Sequence, residues 1–241
     1  MVLRKNTDLL TKILFLGLLI VLSLNYITVC LHATGLLTGS MGDRIFSLLT
    51  VDFQSGLPTF FNTLLILIAF LLLLTVSWHK RNLKSDRVYD WLLLTLAFLV
   101  LSLDENPDIH NYFISVISRY GARGQRFVMT YAWGMPYGGM AVLFVFFLVR
   151  FISSLPKSIA NGFLISGVIY VYGAIVVAAL SSDLLHIRTD HSLGHELAAS
   201  YEESLEMIGL SLFIYFLLKY IRIEDASLAM EKANANVFSV R

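Results

Sequence analysis

Residues 200–222 read SYEESLEMIGLSLFIYFLLKYIR, a short acidic head followed by an apolar run that closes on Lys219 and Arg222. At ~1.5 Å rise per helical residue, the distance from Glu206 to Arg222 is ~24 Å, less than the ~30 Å hydrocarbon core of a bilayer. If the run crosses a membrane, Glu206 therefore lies just inside it. A carboxylate at that depth costs a few kcal/mol unless it is partnered, so such a residue points to function and to a partner elsewhere in the chain. The nearest match in chemistry is SLDENPDIH at 102–110, which supplies Asp104, Glu105 and His110.

The rest of the chain suits this membrane reading. Its 241 residues are 57% hydrophobic with a mean hydropathy of +0.73, more apolar than a soluble domain of this length can cover. Six apolar segments can be read, at 13–33, 58–78, 88–103, 127–149, 159–180 and 201–221. The expected fold is all-α, a single polytopic helical bundle over 1–241. It has six transmembrane helices, a short interfacial helix at about 107–120 after the third, and a cytoplasmic tail over 223–241. The first segment follows Arg4, Lys5 and Lys12, yet its apolar run exceeds the ~7–15 residues of a signal peptide, so it reads as an uncleaved helix. Cys30 is the single cysteine, which excludes an internal disulfide and a cysteine-based zinc site.

Charge sets the orientation. With the N-terminus inside, the outer segments hold only Arg44, Arg119, Arg123, Arg126 and Arg188, and the other 13 of the 18 basic residues fall inside. That satisfies the positive-inside rule with both termini cytoplasmic. The compartment implied is a bacterial-type plasma (inner) membrane or a thylakoid. The main partner is the lipid bilayer, other membrane proteins are further candidates, and no nucleic-acid signature is present.

The connections read as follows. Thr34 to Leu57 is a Gly-rich outer connector ending on Pro58, which suits the first turn of the second helix. Trp78 and Trp91 flank the basic loop HKRNLKSDR and are expected to mark the interface. Asn106 and Pro107 form a helix start for the interfacial segment. WGMPYGGM at 133–140 combines Pro136 with Gly134, Gly138 and Gly139, which allows a kink or close packing by a neighbour. Ser181 to Ala199 reads as a polar outer loop.

On a helical wheel, His195, Glu202, Glu206 and Gly209 fall in one stripe if the last helix reaches back to Gly194. Ser200 and Glu203 match the S-x-x-E capping box, which would account for Glu202 and Glu203 as first-turn acids. Glu206 lies beyond the reach of a cap. As metal ligands, Glu105, His110, Glu203 and Glu206 form the leading set, with Asp104, His191 and His195 as weaker additions; the donors suit a divalent zinc, manganese or iron. No Glu-x-x-His pair of the di-iron bundles occurs. HELAA at 195–199 has Ala199 in place of the second zincin histidine, which excludes that protease helix. Three readings stay open: a structural or assembly subunit held by an acid pair, a metal-binding membrane enzyme using Glu105, His110 and Glu206, and a proton or ion transporter.

VDFQSGLPTFFNT at 51–63, SLDENPDIHN at 102–111 and YEESLEMIGLSLFIYFLLKYI at 201–221 carry a resemblance. The chain resembles a family of uncharacterised bacterial six-helix multi-pass membrane proteins with SLDExxxIHE and EExLEMxG motifs. The resemblance implies the same six-helix fold and no particular activity. It marks Asp104, Glu105, His110, Glu202, Glu203 and Glu206 as pattern positions. Gln54 and Asn111 stand where the pattern has acids, and no glutamate occurs near Ala178. If those acids complete a metal site in relatives, the departures imply a weaker one, or none, in this member.

Overall fold

The computed structural model describes residues 2–51, 56–104, 146–177 and 193–239, with side chains at 7–51, 56–103, 146–174, 176–177 and 193–227. All regular structure among them is helical: α1 (Val2–Ala33), α2 (Gly39–Leu49), α3 (Leu57–Asn82), α4 (Val88–Asp104), α5 (Lys157–Val171) and α6 (Leu193–Ser239). A further helical stretch covers 146–153, and α5 runs on into a π-helical turn, Tyr172–Val177. Three helices are long and apolar enough to cross a membrane, over Thr7–Ala33, Leu57–Asn82 and Leu193–Ser227; Val88–Leu103 is apolar but shorter. The expected fourth span enters the described residues only at 146, and the interfacial helix at about 107–120 and WGMPYGGM lie outside them.

The last helix is the axis of the bundle. It packs against α1, α3, α5 and the π turn. Half of its most apolar window is buried, against a third for the other two long helices. The sequence explains this, because Ser200, Ser204, Met207, Ser211, Ile214 and Leu218 recur at alternating steps of four and three and are at most 5% exposed. Such spacing keeps one seam turned inward along a helix. The small hydroxyl residues bring backbones close, and several satisfy their oxygens locally: Ser204 donates to the Ser200 carbonyl at 2.5 Å, Ser166 to Gly162 at 2.7 Å and Thr95 to Trp91 at 2.7 Å, while Ser211 Oγ is buried with no hydrogen-bond partner among the described residues.

Side-chain contacts fix the registers. On α1, Phe15 meets Tyr215 edge-on at 6.4 Å and Tyr26 Oη lies 3.2 Å from Ser204 Oγ, so eleven residues along α1 correspond to eleven back along α6. On α4, the Trp91 ring lies 4.7 Å from Tyr220 and the Phe98 ring 4.8 Å from Phe213, seven residues along against seven back. Both helices thus run antiparallel to α6. On the α5 side, a Cβ on Gly209 would come within 2.9 Å of the Ser166 carbonyl oxygen and of Tyr170 N. Only glycine permits that approach.

Three expectations change. The connector at 34–57 contains α2, whose Gly42 and Phe46 are buried. Gly35, at φ 72°, ends α1 with Leu36 N–H donating to the Leu31 carbonyl at 3.0 Å, and the chain doubles back. The expected polar loop to Ala199 is helical from Leu193, so Ser200 and Glu203 do not cap the helix; Ser200 is an interior residue at 1% exposure. His195 to Glu203 holds no glycine or proline and is rich in Glu, Leu and Ala, so nothing in it stops a helix once Ala199 and Ser200 are packed. Trp91 is not an interfacial anchor: it is 2% exposed, wedged between Phe151 at 4.9 Å and Tyr220, because it faces α6, whereas Trp78 is 68% exposed. The tail after Arg222 continues as helix to Ser239, the helical extension that its alanine-rich sequence allows.

Candidate functional site

The acids at the N-terminal end of α6 form the site. Glu196, Glu202 and His195 are buried, and Glu203 and Glu206 are half-buried. The stripe expected from the wheel is therefore an interior one, with Gly209 buried as its lower member. Of the other expected ligands, Glu105, His110, His191 and the side chain of Asp104 lie outside the described residues. Among the described residues, no three of His, Cys, Asp and Glu gather as a metal-binding group.

One neighbour closes on the acids directly. Gly173, in the π turn, sits so close that a Cβ there would lie 2.9 Å from the Glu202 carbonyl oxygen and 2.8 Å from Leu205 Cβ. The α5 side of the acid stretch is thus closed by backbone contact. A π turn widens the helix by one residue and often accompanies functional sites; here it sits opposite Glu202 and Glu206. Further along the helix, α4 meets the seam that Glu206 shares. Glu206, Phe213 and Tyr220 are spaced by seven and share one seam, and Phe213 and Tyr220 of that seam touch Phe98 and Trp91. Phe213 is also 4.6 Å from Phe163, so it fills the junction of α4, α5 and α6.

Other polar groups stand at a similar level. By the α1 register, Asn25 lies beside Leu205; it is fully buried, and its Oδ1 accepts the Val51 N–H at 3.1 Å. About two turns beyond, Glu196 Oε1 is 3.3 Å from His32 Nδ1 at the end of α1. Sequence reasoning missed this pair. Its only signal was a histidine and a glutamate at the facing ends of the first and last apolar runs.

The opposite end of α6 is clamped as well. Lys80 Nζ lies 2.6 Å from Glu224 Oε1 and 5.7 Å from the Tyr220 ring centre, and Arg222 pairs with Asp8 and donates to Thr7 Oγ1. A cleft of about 100 Å³ opens there between His79, Lys80, Tyr220 and Glu224. From Glu196 to Glu224 the helix rises ~42 Å, which matches the ~40–45 Å of a bilayer with its headgroup regions. From Met207 to Leu218 the buried side chains of α6 are Met207, Leu210, Phe213, Ile214, Leu217 and Leu218, with Ser211 the only polar one among them.

The model of one family, a domain of unknown function (DUF8692), matches residues 13–220. The chain belongs to the DUF8692 family. The match takes in the acids of α6, the His32–Glu196 pair and the ring contacts with α4, and it stops short of Arg222 and Glu224. No curated protein and no solved structure matches the chain. Membership in DUF8692 carries no activity with it, so the chemistry must be argued from the residues.

Proposed function

We propose that the protein is a six-helix multi-pass membrane protein of a bacterial-type plasma membrane or thylakoid, with both termini cytoplasmic. It serves as a structural or assembly subunit, and its outer-leaflet acids join the third and sixth spans. The observation that carries this reading is the seam on α6. Tyr220 meets Trp91 and Phe213 meets Phe98, and one further heptad in the same register pairs position 206 with position 105. Glu105 lies outside the described residues, and the register is the argument for bringing it to Glu206. Two carboxylates at one depth share a proton or a cation, since both cannot stay ionised and unpartnered in hydrocarbon.

Two observations favour a structural role. The backbone contact at Gly173 leaves no room for a substrate on the α5 side of the acids. Below them Ser211 is the one buried polar residue of α6 down to Tyr220, so among the described residues this helix offers no continuous polar relay to the other side, which weighs against proton or ion transport.

Paired cysteines test the seam. In a Cys30→Ser background, Glu105→Cys with Glu206→Cys is expected to be bridged by a short bis-maleimide, while Glu105→Cys with Ile208→Cys is not. Cross-linking confined to the second pair would end the shared site. Metal analysis of the purified protein separates the roles. A stoichiometric metal lost in Glu206→Ala supports the metal-binding enzyme, and a metal-free protein destabilised by Glu206→Ala supports the structural acid pair. For topology, an impermeant maleimide added to intact cells is expected to label Thr189→Cys and to spare Ser85→Cys; the reverse inverts the orientation.

A further inference from the structure

The connector helix α2 carries three faces on eleven residues. Gly42 and Phe46 turn inward, where Phe46 lies 4.1 Å from the His32 ring and Gly42 packs so tightly that a Cβ would sit 2.8 Å from the Leu37 backbone. Ser40, Asp43, Arg44 and Ser47 fall together on the far side. Met41, Ile45 and Leu48, at i, i+4 and i+7, form an apolar edge between those two faces. Met41 is 71% exposed and Leu48 57%, which a helix in water would not favour for its largest apolar groups.

Depth decides what covers that edge. Three residues after Leu48, Val51 N–H bonds to Asn25, and Asn25 lies seven residues, ~10 Å, back into α1 from His32. The C-terminal end of α2 therefore dips below the level of His32. At that same level α1 presents Ile27 outward at 55% exposure, so the edge continues the apolar belt of the helix it leans on. We propose that α2 is an interfacial helix whose Met41–Ile45–Leu48 edge beds into lipid acyl chains on the His32 side of the bundle, with Asp43 and Arg44 turned to water. This rests on the membrane-spanning reading. The arrangement is that of an amphipathic helix lying in the membrane plane, its apolar face ~5–10 Å into the headgroup boundary. It would fix the depth of the end of the bundle at which the acids lie.

The test uses an environment-sensitive fluorophore on single cysteines in the Cys30→Ser protein, reconstituted in phosphatidylcholine vesicles. Sites are Met41→Cys, Leu48→Cys, Asp43→Cys and Leu19→Cys, the last midway along α1. Quenching by shallow spin-labelled lipid is expected to be at least roughly twofold stronger at 41 and 48 than at 43, with iodide quenching in the opposite order. Equal quenching at all three α2 sites overturns the proposal. So does shielding of 41 and 48 from both quenchers, which would show that protein covers the edge. Iodide quenching at position 19 would remove the membrane reading itself, whereas a lipid-quenched position 19 beside iodide-quenched 41 and 48 would remove only the role of α2.

Discussion

Phe98 stacks on Phe213 at 4.8 Å with an interplanar angle of 16°. Because Trp91 meets Tyr220 one heptad away, the two contacts together lock α4 against α6 in register as well as in position. Phe213→Ala is expected to destabilise the protein by ~3 kcal/mol, the low end for a buried aromatic, because lipid tails are as apolar as the core and only the packing part is lost. A double-mutant cycle with Phe98→Ala, read by unfolding in mild detergent, should show about 0.5–1.5 kcal/mol of coupling. Strict additivity would mean the rings do not hold the register.

Gly209 and Gly167 make a matched pair. A Cβ on Gly209 meets Ser166 and Tyr170 backbone at 2.9 Å, while one on Gly167 meets nothing within 4 Å. Gly209→Ala is expected to cost roughly 1–3 kcal/mol through overpacking, and Gly167→Ala to be neutral or to stabilise by about 0.5–1 kcal/mol through helix propensity. Thermal unfolding of the two variants side by side checks the difference in sign.

The Lys80–Glu224 clamp is mostly out of water, with the side chains 14% and 23% exposed. Removing one partner strands the other, so Glu224→Gln is expected to cost about 1–2 kcal/mol, between the values for exposed and buried pairs. The exchanged protein, Lys80→Glu with Glu224→Lys, should recover at least half of the loss seen in Lys80→Glu alone. No recovery would mean that the cation over Tyr220 matters more than the pair.

Asn25 ties α2 to the bundle by accepting the Val51 N–H. Asn25→Ala leaves that buried N–H without its acceptor, at a cost of about 1–3 kcal/mol. The loss should be local. Hydrogen exchange is expected to quicken over 39–51 and to stay unchanged over 62–76 in α3; uniform acceleration would show that Asn25 serves the whole core instead.

Much of this protein was legible in its residues because long apolar runs fold as helices whose length and polarity can be read directly. The apolar runs gave α1, α3, α4 and the axis of the bundle, Pro58 marked the start of α3, and the His195–Glu202–Glu206–Gly209 stripe followed from helical spacing alone. Local pattern misled where two structures satisfy it equally. Ser200-x-x-Glu203 suits a helix start and a helix interior alike, and burial of Ser200 against its neighbours chose the interior. Trp91 suits an interface and a core, and only the packing of Phe151 and Tyr220 around it placed it inside. The His32–Glu196 pair and the heptad seam that points from Tyr220 through Phe213 to Glu206 join segments far apart in the chain. Sequence specifies which groups must find partners in an apolar medium, because an unpartnered charge there is costly; which partners they find depends on register between helices, and register is set by side chains that meet only in the folded bundle.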